Sequence, residues 1–101
     1  MAMKRFKGAR YITKGIQTFL KEELQLILWD LIDGLEVEKD YLQVFKLQVE
    51  GEELKLTHRQ EEPDYVREYR VKLKELSLHQ DEKVFVIDDG EFATMMFSYE
   101  Y

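Results

Sequence analysis

The sequence predicts an α+β fold in which one amphipathic helix packs on one face of a mostly antiparallel sheet of five to six strands. Apolar residues recur at three- and four-residue steps in one long segment, which runs from Leu20 to Leu35. The segments that follow alternate between apolar and polar residues and are separated by short turns, which favour antiparallel pairing. A chain of 101 residues is sufficient for one domain, and the predicted element order is β-α-β-β-β-β-β.

The N-terminal part of the chain is basic, and we predict that residues 1–9 form a flexible arm before a single domain of residues 10–101. The first fourteen positions contain five lysine or arginine residues and no acidic residue, whereas the whole chain has a net charge of −6. The arm is expected either to contact an anion or to dock on the acidic remainder of its own chain. A first short strand is predicted from Arg10 to Ile16, with Gly15 as its end.

The helix is predicted to begin at Thr18 and to end at Gly34. Thr18 suits the N-cap because its hydroxyl can accept a hydrogen bond from a free amide of the first turn. Glycine is a favoured residue where a helix stops. The apolar stripe that would face the sheet has seven members: Leu20, Leu24, Ile27, Leu28, Leu31, Ile32 and Leu35.

The predicted strands are separated by turn residues. Glu50-Gly51 and Asp88-Asp89-Gly90 are typical of tight hairpins, because glycine adopts positive φ without strain. In the strand Tyr41–Val49, the apolar parity changes between Val44 and Phe45. That change predicts a bulge or a strand start that is buried on both faces.

Two further apolar side chains of the helix point away from the predicted sheet. At about 100° per residue, Leu26 and Trp29 both fall outside the apolar stripe, and Asp30 and Asp33 flank them. The four residues are the predicted partner-binding surface, because tryptophan is frequent at interaction hot spots. The alternative is that a loop or the N-terminal arm, through Phe6, covers the two apolar side chains.

The stretch Thr57–Pro63, "THRQEEP", gathers reactive residue types. His58 and Gln60 share the apolar face of their strand, whereas Arg59 faces the other side. We nevertheless name His58, Arg59 and Glu61 as the candidate ligand-binding or hydrolytic group. The alternative is a core-edge histidine at the end of a hairpin strand. No spacing such as HExxH is present, and we expect no metal site.

Composition and motifs limit the chemistry that the chain can perform. The absence of cysteine excludes disulfides and thiolate metal sites. No phosphate-binding glycine loop, nucleophile elbow or dinucleotide fingerprint is present, so we expect no cofactor and name no catalytic residue. The negative net charge argues against nucleic acid as a partner. No apolar run is long enough for a membrane span and no signal peptide is visible, so a cytoplasmic protein is expected.

Five stretches together resemble a family of short Firmicutes proteins, first compiled from staphylococcal hypothetical proteins, that forms a domain of unknown function. They are "RYITKGI", "LQLILWDLID", "DYLQVFKL", "THRQEEPDY" and "VFVIDDGEFATMMFSYEY", and they lie between Arg10 and Tyr101. None of them is a recognised chemical motif. The resemblance therefore implies a bacterial cytoplasmic setting, and it brings no activity, cofactor or site residue.

Three hypotheses for function follow. The leading one is a small non-enzymatic domain that binds another protein, or a second copy of itself, through Leu26 and Trp29. The second is a ligand-binding or hydrolytic domain that uses the His58 region. The third is an acidic mimic of phosphate charge that binds a basic or nucleic-acid-binding protein.

Overall fold

The computed structural model of the protein describes residues 5–72, 78 and 80–101, and it forms a six-stranded sheet with two α-helices. We expect residues 75–82 to form a polar connection, and four of these eight residues, 75–77 and 79, lie outside the described ones. The elements are β1 (Ala9–Ile12), α1 (Lys14–Phe19), α2 (Glu22–Asp33), β2 (Leu42–Glu50), β3 (Glu53–Gln60), β4 (Tyr65–Val71), β5 (Glu82–Asp88), β6 (Phe92–Phe97) and a 3-10 turn (Ser98–Glu100).

The strands lie in the order β1-β6-β5-β2-β3-β4. Four of the neighbouring pairs are antiparallel, and the pair β1–β6 is parallel. The hairpins at Gly51 and Gly90 are as predicted, and both glycines have positive φ, at 65° and 106°. The α+β fold with a six-stranded sheet is thus confirmed, although the order of elements is β-α-α-β-β-β-β-β.

The prediction of one helix with Thr18 as its N-cap is wrong. Thr13 caps α1, since its hydroxyl accepts a hydrogen bond from the Ile16 amide at 3.2 Å, and Thr18 lies inside that helix. The predicted end of the first strand, Gly15, also lies in α1. A Cβ on Gly15 would come within 2.6–2.8 Å of the Glu100 carboxylate, so glycine here permits the C-terminal turn to approach the helix. That contact is tertiary and has no periodic signal in the sequence.

One face of the sheet carries the core together with both helices. Alternate residues of the central strands are fully buried, and Leu28 and Ile32 of α2 belong to the same cluster. In β2 the register is continuous from Val44 opposite Arg59 to Glu50 opposite Glu53. The bulge is therefore wrong, and the alternative of a strand start buried on both faces fits, since Gln43 and Phe45 are buried and Leu42 and Val44 are half-buried.

The N-terminal segment packs on the domain from Phe6 onward. Phe6, which we placed in a flexible arm, is buried in the core cluster, and its amide donates a hydrogen bond of 2.8 Å to the Asp88 carboxylate. Gly8 follows where the chain passes β6, and an added Cβ there would lie 2.0 Å from the Glu91 carbonyl oxygen. Because that oxygen belongs to the backbone, no side-chain rotation relieves the contact.

We expect Gly8→Ala to lower the free energy of unfolding by about 1–3 kcal/mol, the usual cost of an overpacked contact. The substitution must displace the segment from β6 to make room for the methyl group. Urea unfolding followed by circular dichroism measures the effect, with Lys7→Ala at the neighbouring exposed position as control. The control is expected to stay within about 0.5 kcal/mol of the parent chain. Equal unfolding midpoints for Gly8→Ala and the parent chain would contradict the close approach.

Candidate binding surfaces and the buried histidine

His58 lies in the interior at the end of the core face, and it is hydrogen-bonded to Gln43. The Nε2 atom of His58 is 2.6 Å from Oε1 of Gln43, across the β2–β3 pair. The Gln43 amide nitrogen donates to Oε1 of Gln60 at 2.7 Å and to the Asp40 carbonyl at 2.9 Å. Since the Gln43 oxygen is thereby left as an acceptor, His58 must donate from Nε2. The imidazole is therefore held as the Nε2–H tautomer.

Gln60 connects this network to the segment before β2 and to the turn after β3. Its amide nitrogen donates to the carbonyl oxygens of Glu38 and Pro63, at 2.8 and 2.9 Å. Its oxygen also accepts from the Asp40 amide at 3.1 Å. The buried side chains of His58, Gln43 and Gln60 thus fasten the segment before β2 and the turn after β3 to the sheet, which is a structural role.

The environment of His58 favours its neutral form. The imidazole stacks on Phe45 with ring centroids 4.4 Å apart, and Tyr65 meets it edge-on. Desolvation lowers the pKa of His58 from 6.5 to about 4. Its Nδ1 atom is buried with no hydrogen-bond partner within the described part of the chain. The histidine is uncharged at neutral pH, and both ring nitrogens are shielded from solvent.

The other two residues of the predicted ligand-binding group lie apart from this histidine. Arg59 and Glu61 are both exposed, the first on the opposite face of β3 and the second in the following turn. His58 is completely buried, as its shared face with the apolar residues of the strand predicted. The three side chains therefore do not converge on one surface. His79, the second histidine, lies outside the described residues.

The predicted partner surface on the helix is divided by the fold. Leu26 is 56% exposed, whereas Trp29 is only 8% exposed, so Trp29 is covered, as one of the two sequence-based alternatives has it, and Leu26 is not. The Arg10 guanidinium lies over the Trp29 ring, 4.7 Å from its centroid. It also donates to the Phe6 carbonyl and to both oxygens of Asp33. These hydrogen bonds hold the pKa of Asp33 below its ordinary value.

The segment that covers Trp29 is therefore the N-terminal one: Arg10 lies over the ring, and Phe6 belongs to the same core cluster as Trp29. Asp33 serves this packing, while Asp30 is exposed on α2. Helical periodicity places a residue around the axis of its helix, but it carries no information about which distant segment lies alongside. This is why the sequence left open whether Trp29 is exposed or covered.

A groove with large apolar side chains at its rim opens where β1, α1 and α2 meet, and polar residues, including Lys21 and Glu22, also line it. Ile12, Phe19 and Leu26 form its rim and are 37%, 64% and 56% exposed. Leu20 and Trp29 lie buried at its base, and the cavity has a volume of about 790 Å³. We call this feature the helix groove.

The corner between the two helices gives the helix groove a fixed shape. Gln25 is buried, and its amide nitrogen donates to the carbonyl oxygens of Leu20 and Ile16, at 2.8 and 3.5 Å. It thereby satisfies the carbonyl group of Leu20 just after α1, whereas the Ile16 carbonyl also accepts from the Leu20 amide. Sequence reasoning missed Phe19, because a break between two helices at Leu20-Lys21 was not visible in the continuous apolar pattern.

The described residues form neither a metal-binding cluster nor a membrane-spanning helix. Across residues 5–72, 78 and 80–101, no three histidine, aspartate or glutamate side chains lie close enough together to hold a metal ion. None of the helices in that part of the chain has the length and hydropathy of a membrane span, since the longest, α2, has 12 residues.

Comparisons with known proteins identify relatives but no activity. Residues 9–100 match the family described as "Staphylococcal protein of unknown function (DUF960)". The fold is similar to a crystal structure of a protein of unknown function from Enterococcus faecalis, with a TM-score of 0.81 at 18% sequence identity. That match covers 100% of this chain and 97% of the other. A search of curated proteins found no match.

Proposed function

We propose that this chain is a protein-interaction domain whose binding surface is the helix groove. The chain belongs to the DUF960 family of staphylococcal proteins of unknown function. The observation that carries the proposal is the exposure of three large apolar side chains, Ile12, Phe19 and Leu26, around one cavity. Contiguous exposed apolar surface of this kind marks sites of interaction with proteins.

The charges beside the groove indicate the chemistry of the partner. On the exposed face of α2, Leu26 has Glu22 and Glu23 one turn before it and Asp30 one turn after it. Their carboxylates project toward solvent, so a complementary segment would carry lysine or arginine around its apolar contacts. We therefore propose a basic, amphipathic protein segment as the occupant, bound in the manner of a helix in a groove.

This proposal joins two of the sequence-based hypotheses. The proposed partner surface consists of Leu26 and Phe19 instead of Leu26 and Trp29, because Trp29 is buried under Arg10. The acidic character of the chain enters through the residues around Leu26 and not through imitation of a nucleic acid. As part of the same proposal, we place the interaction in the cytoplasm of a Firmicute and retain a second copy of the chain as the alternative occupant.

We expect the double variant Phe19→Ser/Leu26→Ser to lose partner binding while remaining folded, since both side chains are already exposed. Affinity capture from lysate of the native host, followed by titration calorimetry with each purified captured protein, measures the loss. Truncation of a central interface residue typically costs about 2 kcal/mol or more, so binding should weaken by more than about ten-fold. Added salt should also weaken it, because it screens the attraction between the carboxylates beside Leu26 and a basic segment.

The matched control is Val37→Ser/Tyr41→Ser, which removes two exposed apolar side chains that do not line the groove. The control should bind as the parent chain does. Sedimentation velocity of the parent chain tests the alternative occupant, since a dimer that Phe19→Ser/Leu26→Ser dissociates would identify a second copy. If every association survives the groove variant, or if the parent chain neither captures a protein nor self-associates, the proposed function is wrong.

A further inference from the structure

The face of the sheet opposite the core holds a second surface, which does not depend on the proposed function. A hollow of about 490 Å³ lies on this face, across β2, β3, β4 and β5. Its lining includes Lys46, Lys55, Arg59 and Lys83, and among the described residues Glu68 is its only acidic member. We call it the basic hollow. A local balance of four cations against one carboxylate contrasts with the net charge of −6 for the whole chain.

The sheet register brings these cations together. Lys46 and Lys83 are direct partners across the β2–β5 pair, and side chains in such positions lie about 5 Å apart at Cβ. Like charges placed directly opposite each other are destabilising in a sheet. Within the described residues, neither lysine forms an ion pair or a side-chain hydrogen bond that would offset the repulsion.

Thr57 lies at the centre of the group. It is opposite Lys46 on the neighbouring strand, and Lys55 and Arg59 flank it on the same face of β3. Lys55 is 3.6 Å from the Glu68 carboxylate, whereas the guanidinium of Arg59 forms no ion pair within the described residues. On β4 the residue opposite Thr57 is Glu68, so the hydroxyl has three cations and one carboxylate as neighbours. On the side that Glu68 does not occupy, a hydroxyl donor beside cations is a suitable arrangement for the oxygen atoms of an anion.

We propose that the basic hollow binds a small ligand that carries two or more phosphate groups. Several cations held apart on different strands match a ligand with several anionic groups better than a single phosphate. Arginine adds a planar fork that suits phosphate oxygens. Val44 and Val66 supply an apolar wall for the remainder of the ligand.

A long nucleic acid fits this surface less well. Single-stranded nucleic acids are held by a basic groove together with aromatic side chains on which the bases stack. None of the described residues that line the basic hollow is aromatic. Beside it, Arg70 is paired with Glu50, so the positive surface does not continue as a stripe. The acidic remainder of the chain also repels a long polyanion.

Titration calorimetry with inorganic pyrophosphate as the probe, at low ionic strength and pH 7.5, tests the proposal. We expect saturable binding by the full chain that weakens as salt screens the charges. Inorganic phosphate and citrate, a tricarboxylate, are the comparison ligands and should bind more weakly. Lys46→Gln/Arg59→Gln should reduce the affinity for pyrophosphate by about ten-fold or more, since charge-assisted hydrogen bonds are lost.

The matched control is Lys7→Gln/Lys14→Gln, which makes the same change in net charge within the basic N-terminal segment and should bind as the parent chain does. A second variant, Lys83→Glu, replaces a like-charge pair with an opposite one. It should raise the unfolding temperature without ligand and remove the increase that pyrophosphate causes. This combination separates loss of the site from loss of the fold.

Four results would overturn the proposal. They are the absence of saturable pyrophosphate binding, equal binding by Lys46→Gln/Arg59→Gln, loss of binding in the N-terminal control, and tighter binding of citrate or of a single-stranded oligonucleotide than of pyrophosphate. None of these outcomes bears on the helix groove, whose residues lie on α1, α2 and β1.

Discussion

Replacement of Trp29 by alanine is expected to lower the free energy of unfolding by about 3–5 kcal/mol, the usual cost of truncating a buried aromatic side chain. The indole is 8% exposed and belongs to the core cluster, and the Arg10 guanidinium lies on its ring. The variant loses apolar burial and the cation–π contact together. In a domain of this size the loss is a large fraction of total stability.

Leu26→Ala is the matched control, because it truncates an exposed apolar residue of the same helix, three positions away. We expect it to change the free energy of unfolding by no more than about 0.5 kcal/mol. Chemical unfolding must be followed by far-ultraviolet circular dichroism, since Trp29 is the single tryptophan and its fluorescence is lost in the variant. Equal costs for the two substitutions would show that Trp29 is not part of the core.

The stability of the protein is expected to fall between pH 6.5 and pH 4 because of His58. In the unfolded chain this histidine takes up a proton near pH 6.5, whereas burial lowers the pKa of His58 in the folded protein to about 4. Between these values the unfolded state binds more protons, so the free energy of unfolding decreases as the pH falls. The full stability is present above pH 6.5, and the difference between the two pKa values corresponds to about 3 kcal/mol.

Urea unfolding at a series of pH values measures this loss, and nuclear magnetic resonance of the imidazole gives the pKa of His58 directly. In His58→Gln the decrease between pH 6.5 and pH 4.5 should disappear, even though the variant also loses the stacking on Phe45. His79→Gln, which removes the other histidine, should retain the decrease. A folded-state pKa of His58 near 6.5, or a pH dependence that only His79→Gln removes, would contradict the burial of a neutral imidazole.

The His58 network also shows how far strand parity extends. Alternation along Glu53–Gln60 placed His58 and Gln60 on the core face and Arg59 on the other, and the structure confirms both placements. In β2 the alternation of apolar and polar residues did not predict the buried positions, because Gln43 is fully buried. A buried amide is tolerated there because His58 and Gln60 satisfy it, and both partners lie on a different strand. The hydropathy of Gln43 does not indicate that these partners are present.

The two candidate surfaces differ in how visible they are in the sequence. Leu26 could be recognised as a candidate because helical periodicity places it outside the apolar stripe of its own helix. Phe19 needed knowledge of the break between α1 and α2, and Ile12 needed the position of β1 beside them. The basic hollow is assembled from lysine and arginine residues on three strands, so it required the register between strands. A group of charged residues that are far apart in the sequence can be recognised only when strand pairing sets the distances between them.

The sequence by itself determined the α+β class, the hairpins at Gly51 and Gly90, the face of β3 on which His58 lies and the position of Leu26 outside the apolar stripe of its helix. Each of these depends on local rules, namely side-chain periodicity and the backbone freedom of glycine. Only the tertiary structure decided that β1 runs parallel to β6, that Arg10 covers Trp29 and that four cations meet on the open face of the sheet. These features join residues far apart in the chain, and the free energy that selects them comes from packing and charge between distant segments.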